Sequence, residues 1–208
     1  MIMNNSNIQP FTRDPLKDEL LTPQNCALLI IDIQPLQVTS VASMDRRELV
    51  TNIVTVAKTA RLYGAPIVLS TVNVERVNSP GTIPQLMDVL PGAVALDRTF
   101  INSWEDTAFR AAVEATGRRK LVIVALWTEA CLTFPTLDAI REGFEVYPVV
   151  DAVGGTSLKA HDTALRRLEQ AGAQPIGWAQ FLCELQRNWA RAETRDEFSK
   201  TLFAVEGR

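Results

Sequence analysis

The chain has 208 residues, enough for one domain with a sizeable core, and is 47% hydrophobic and 22% charged, an ordinary soluble composition. A net charge of −3 with no block of five like charges argues against nucleic-acid or acidic-membrane partners, and no apolar run reaches the 18 residues of a membrane span. Three cysteines, Cys26, Cys131 and Cys183, form no C-x-x-C pair, which suits a reducing cytoplasm better than a disulfide framework.

Residues 1–23 are polar and broken by Pro10, Pro15 and Pro23, so an irregular N-terminal arm is expected, followed by one domain over 24–208. The start, MIMNNSNIQP, lacks the basic and apolar regions of a secretory signal, and a cytoplasmic location is expected. Cys26–Ile33 is wholly apolar until Asp32 and predicts a buried strand. Leu49, Ile53, Val56, Ala57 and Ala60 keep helical spacing within Arg46–Tyr63, and Gly64 and Pro66 stop that helix. Ile67–Val72 predicts a second strand. Residues 73–92 hold Pro80, Gly81, Pro91 and Gly92 around a short helix at Pro84–Leu90, an excursion placed to serve as a lid.

Ala93–Leu96 predicts a short strand ahead of Asp97 and Arg98, and Trp104–Thr116 a helix ended by Gly117. Lys120–Leu126 is the most apolar strand, and Glu145–Val150 a fifth. Leu158–Gly172 reads as a helix after the turn Gly154-Gly155-Thr156-Ser157, and Gln174–Trp178 as a weak sixth strand. Trp178, Phe181, Leu182, Leu185 and Trp189 mark one apolar helical face, and Phe198, Leu202 and Phe203 another. Apolar runs alternating with helices predict an α/β, Rossmann-like three-layer sandwich with a six-stranded parallel sheet and helices on both faces.

The chemistry concentrates after the Lys120–Leu126 strand, where Cys131 stands at a strand-to-helix turn. Unfilled N–H groups at a helix start favour a thiolate and can receive the oxyanion formed when sulfur adds to a carbonyl. Pro135 leaves two arrangements: a regular helix from near Thr133, or one from Cys131 with a kink. The commoner fate of an apolar cysteine is core filling. Asp32, Arg98 and Cys131, however, each close a different apolar run, and sequential βα units bring such ends to one sheet edge. A cation there favours thiolate, and a carboxylate can take and return a proton. The ordinary alternatives are a turn cap for Asp32 and an ion pair with Asp97 or Asp106 for Arg98.

These residues resemble the isochorismatase-like cysteine hydrolases. LLIIDIQ around Asp32 is similar to that family's first-strand motif. ALWTEACLTFPTLDAIREGFEVYPVVDA, from Ala125 to Ala152, is similar to its Gly-x-x-Thr-x-x-Cys turn and the helix and strand that follow. DRTFINSWEDTAF, Asp97–Phe109, occupies the place of its lysine segment. The resemblance spans about residues 24–178 and is closest to a subgroup of hydrolases that assemble as octamers. It implies Cys131 as nucleophile, Asp32 as acid/base, the Trp127 and Cys131 N–H groups as oxyanion hole, and a cis Leu126–Trp127 peptide. A thioester on a small amide or related C–N substrate would follow.

Two departures stand out. Arg98 replaces the lysine and can hold charge but not surrender a proton. Ala125 replaces the glycine before the turn. The nicotinamidase branch adds a histidine-rich metal site, and with His161 as the single histidine no metal and no cofactor are expected. His161 reads as a packed or interface residue. Gln34, Asn102, Trp104, Trp127 and Phe134 are the candidate substrate-binding residues, with Glu75 as a further anchor. The expected partners are a small-molecule substrate and further copies of the same chain, as in the octameric subgroup. A catalytically silent oligomeric binding protein and a thiol redox sensor are the competing readings.

Overall fold

The structure is a computed structural model and describes residues 13–205; residues 1–12 of the expected N-terminal arm lie outside the described residues. The strands are β1 (Cys26–Ile31), β2 (Ile67–Val72), β3 (Leu96–Arg98), β4 (Lys120–Ala125) and β5 (Glu145–Pro148). They form one parallel sheet in the order β3-β2-β1-β4-β5. All six residues of β1 and of β4 are buried, so the two most apolar runs take the centre. Strand alternation divides their side chains between two cores: Leu28, Ile30, Val122 and Val124 face one side, and Ala27, Leu29, Ile31, Leu121 and Ile123 the other.

Helices cover both faces. In chain order they are α1 (Pro35–Thr39), α2 (Arg46–Tyr63), α3 (Val74–Val77), α4 (Pro84–Met87), α5 (Thr107–Ala115), α6 (Thr133–Arg141), α7 (Leu158–Gln170), α8 (Trp178–Gln186) and α9 (Ala192–Val205). Residues from α2, α4 and α8 fill the first core, and residues from α5, α6 and α7 the second. Asp45 caps α2 by accepting from the N–H groups of Arg47 and Glu48, and Gly64, at φ 72, ends it.

The sheet has five strands, not six. Gln174–Trp178 runs beside β5 but joins it by one isolated bridge, Val149 to Ile176. Gln174 N–H reaches Val146 O at 2.8 Å and Ile176 N–H reaches Pro148 O at 3.0 Å. The return bond to Gln174 O would need an N–H on residue 148, and proline has none, so the ladder is broken. Two boundaries also move. Pairing of β3 starts at Leu96 and takes in Asp97 and Arg98, because Ser70 of β2 aligns with Leu96. The expected Trp104–Thr116 helix divides at Asp106, which caps α5 through the N–H groups of Ala108 and Phe109 and leaves Ser103–Glu105 as one 3₁₀ turn.

Within 73–92, Ile83, Leu86 and Leu90 are buried in the core, and Ile83 N–H bonds Ile33 O at 2.9 Å. The second half of the excursion is therefore packed into the core, and the first half is tied to the sheet edge by Asp97, which accepts from Val74 and Glu75 N–H, and by Gln34, which donates to Pro80 O. Residues 13–25 carry turns and cross the opposite edge, where Leu21 is fully buried and Lys120 Nζ donates to Asp18 O at 2.9 Å and Glu19 O at 2.6 Å. Among the described residues no helix is long and apolar enough to cross a membrane. Ile30 lies in the middle of the central strand with no exposure. Ile30→Ala is expected to lower unfolding free energy by about 2–5 kcal/mol in urea titrations, with the slope unchanged.

Candidate active site

Parallel pairing carries the C-terminal ends of β1, β3 and β4 to one edge, and Asp32, Arg98 and Cys131 meet there. Asp32 follows β1 at φ 60, a left-handed conformation that aspartate tolerates better than most residues. The turn is tight: Asp32 N–H bonds Ser70 O at 3.0 Å, and Gln34 N–H closes on Asp32 O at 2.8 Å.

Arg98 ends β3 and grips that carboxylate with both arms, Nη1 to Oδ1 at 2.8 Å and Nη2 to Oδ2 at 2.8 Å. The two side chains are 1% and 0% exposed. Nη1 also donates to Thr71 O at 3.0 Å, and Nη2 to Ile101 O at 3.3 Å. The guanidinium pairs with neither Asp97 nor Asp106. Asp97 instead accepts from Thr71 Oγ1 and from the N–H groups of Val74 and Glu75 at the start of α3.

Beyond β4 the Leu126–Trp127 peptide is cis, and Thr128–Leu132 make a single π-turn closed by Leu132 N–H to Trp127 O at 3.1 Å. The regular helix α6 begins at Thr133, so Pro135 falls in its first turn, the first of the two arrangements the sequence allows. Cys131 is 7% exposed on the π-turn. Its thiol is hydrogen-bonded to the Asp32 carboxylate, and the Trp127 backbone N–H is directed to its sulfur.

The electrostatics differ from the expected thiolate. Burial pushes the Cys131 thiol well above its ordinary range, and the charge and hydrogen bond of Asp32 push it further; Arg98 and the Trp127 N–H pull it back only in part. Arg98 is committed to Asp32, so the nearest charge to the sulfur is negative. Burial also raises the Asp32 carboxyl above the usual carboxylate range, against the hydrogen bonds and charge of Arg98. Burial opposes the charge of Arg98, but its bonds to Asp32 and their Coulomb attraction hold it firmly protonated. The resting site is a neutral thiol donating to a carboxylate braced by a fixed cation. Cys26 is fully buried, its thiol pushed up to about 12 by burial, and Cys183 lies on the exposed side of α8. Neither thiol has a carboxylate bonded to it as Cys131 has Asp32.

The other candidate residues take several roles. Gln34 engages its carboxamide with backbone, accepting from Val72 N–H at 2.8 Å and donating to Val72 O and Pro80 O. Asn102 caps the Ser103–Glu105 turn through Trp104 N–H and donates to Asp138 at 2.7 Å. Trp104 is buried against Phe144, edge to face at 5.4 Å. Trp127 is half-buried, its indole N–H held by Ser40 Oγ at 2.8 Å, and Phe134 is half-buried in the first turn of α6. Glu75 is exposed. Sequence reasoning missed the carbonyl acceptors Thr71 and Ile101, which carry no side-chain signature, and the contact between Thr128 Oγ1 and His161 Nδ1 at 2.8 Å. Among the described residues no group of three or more His, Cys, Asp or Glu side chains is placed to hold a metal ion.

The isochorismatase domain profile matches residues 26–180. YcaC of Escherichia coli (strain K12) is 34% identical over 170 residues, 81% of either chain. Its crystal structure, described as an octameric hydrolase of unknown specificity, superposes with a TM-score of 0.83 at 32% identity, covering 90% of this chain and 91% of that one. YcaC from Pseudomonas aeruginosa, solved with hexane-2,5-diol and covalent acrylamide, gives a TM-score of 0.84 at 32% identity, covering 91% and 95%.

Asp32→Asn separates the two influences on the sulfur. Removing the carboxylate charge is expected to lower the Cys131 pKa, moving its iodoacetamide alkylation profile to lower pH, while the stranded guanidinium lowers stability by about 3–5 kcal/mol. Alkylation rates against pH, with a parallel denaturation curve, check both.

Proposed function

The chain belongs to the isochorismatase family, and on that premise we propose that it is a cysteine hydrolase of a small-molecule amide or other non-peptide C–N bond, acting through a Cys131 thioester. The observation that carries this reading is the hydrogen bond between the Cys131 thiol and a carboxylate whose position Arg98 fixes. Each carboxylate oxygen has two lone pairs, so Asp32 can hold both guanidinium arms and still accept the thiol proton.

As sulfur attacks the substrate carbonyl, its proton passes to Asp32, and the carbonyl oxygen takes the negative charge. The N–H groups of Trp127 and Cys131 receive that oxyanion, a contribution of about 10²–10³-fold for one such donor. The C–N bond breaks as Asp32 returns the proton to the leaving nitrogen. Water then adds to the thioester, giving its proton to Asp32, and the acid departs as sulfur is reprotonated. Arg98 stays charged throughout and serves to orient and balance Asp32. In this reading the half-buried Trp127 and Phe134 wall the substrate site, while Trp104, packed on Phe144, and Gln34 and Asn102, through bonds already made, support its frame.

We also propose a homo-oligomer, as described for the E. coli relative. Leu36, Val77, Phe100 and Ile101 are exposed in segments that follow the C-terminal ends of β1, β2 and β3, and Trp189 and Phe203 are exposed near the C-terminus. Light scattering is expected to return a multiple of the 23.0 kDa chain mass, and a monomer at all concentrations would refute self-association.

Cys131→Ser is expected to fold normally and to lose about 10³-fold or more of turnover on any small amide the wild type hydrolyses, with the wild-type acyl adduct located at Cys131 by mass spectrometry. Equal turnover by Cys131→Ala would defeat the mechanism.

A further inference from the structure

The π-turn that presents Cys131 is held from behind by Thr128, which is fully buried and anchored three ways. Its N–H bonds Gly154 O at 2.9 Å, its carbonyl accepts from Thr133 Oγ1 at 2.6 Å, and its hydroxyl meets His161 Nδ1 at 2.8 Å. The first two anchors are local or backbone contacts that many residue types would supply. The third joins the turn to α7, and it is the contact made by the chain's single histidine.

The joint is tight. A Cβ on Gly155 would lie 3.0 Å from His161 Cβ and 2.7 Å from the movable Glu129 Oε2, so a side chain there would press on the start of α7. Glu129, the residue after Thr128, adds a second tie by accepting from Thr156 N–H at 2.9 Å and Thr156 Oγ1 at 2.6 Å. Thr128 directly follows Trp127, so holding Thr128 limits how far the adjoining Leu126–Trp127 peptide, whose N–H faces the Cys131 sulfur, can turn.

We propose that His161 is a positioning residue: through Thr128 Oγ1 it fixes the orientation of the Trp127 and Cys131 N–H groups toward a developing oxyanion. This rests on the cysteine-hydrolase reading above. Partial burial keeps the imidazole neutral at pH 7 by lowering its pKa, against the charges of Asp162 and Glu129 that face it. A neutral ring beside a rotatable hydroxyl makes a directional bond without placing a charge behind the oxyanion site.

Two alkylating probes at Cys131 separate this role from general support of the fold. Addition of the thiol to acrylamide puts negative charge on the amide oxygen, where the N–H donors act. Displacement of iodide from iodoacetamide develops no such charge. His161→Leu and Thr128→Val are expected to slow acrylamide addition about 10-fold, leave iodoacetamide alkylation within about 2-fold, and give a double variant no slower than the worse single one. His161→Asn, whose amide reaches the place of Nδ1, is expected to restore the acrylamide rate. Unchanged rates, or equal slowing with both reagents, would overturn the inference. A wild-type Cys131 inert to acrylamide while Cys183 reacts would overturn the hydrolase reading beneath it.

Discussion

A bidentate ion pair with no access to water sits at the active edge of the sheet, and much of the site is arranged around it. Asp32 and Arg98 meet through two 2.8 Å bonds, and the two Nη groups also reach Thr71 O and Ile101 O, while the buried Nε–H has no partner among the described residues. Burying two charges gains little over well-packed hydrocarbon, yet removing either partner is strongly unfavourable. Stability alone gives no reason to keep such a pair at the end of the first strand. Placement does: three separate segments converge on it, and a carboxylate is left immobile beside a sulfur.

That pair also decides where protons rest. A strand-to-helix turn with a nearby cation suggests a preformed thiolate, and the isolated features support that expectation. The geometry reverses it, because the cation faces the carboxylate and the carboxylate faces the thiol. In the proposed cycle sulfur is therefore activated during attack, by proton transfer to Asp32, rather than beforehand. With Cys131 only 7% exposed, the neutral thiol is largely shielded from solvent.

The central strands were legible because fully buried parallel strands must be continuously apolar, as CALLII and LVIVA are. The convergence of Asp32, Arg98 and Cys131 was legible for the same reason, since strand ends in sequential βα units share an edge. What stayed hidden depended on single backbone groups. The missing N–H of Pro148 removed a strand that apolar content predicted, and Asp106 divided a helix by offering a better cap than continuation. Gln34 and Asn102 looked like ligand-facing amides, but each is engaged with groups 36 to 46 residues away, which no local pattern reports. The contact of His161 with Thr128 across 33 positions was hidden in the same way.

Arginine in place of lysine gives the pair a consequence for catalysis. A lysine beside Asp32 could share or relay a proton, whereas a guanidinium keeps its own through every step. All proton traffic in the proposed cycle then runs through one carboxylate: from sulfur, to the leaving nitrogen, from water, and back to sulfur. Such a group works best when its proton affinity lies above that of an ordinary carboxylate, so that it accepts readily, yet below that of the amine it must protonate. Burial raises Asp32 and the fixed charge of Arg98 limits the rise, which is the direction each role requires. The arginine thus sets the range of the base by remaining outside the proton exchange.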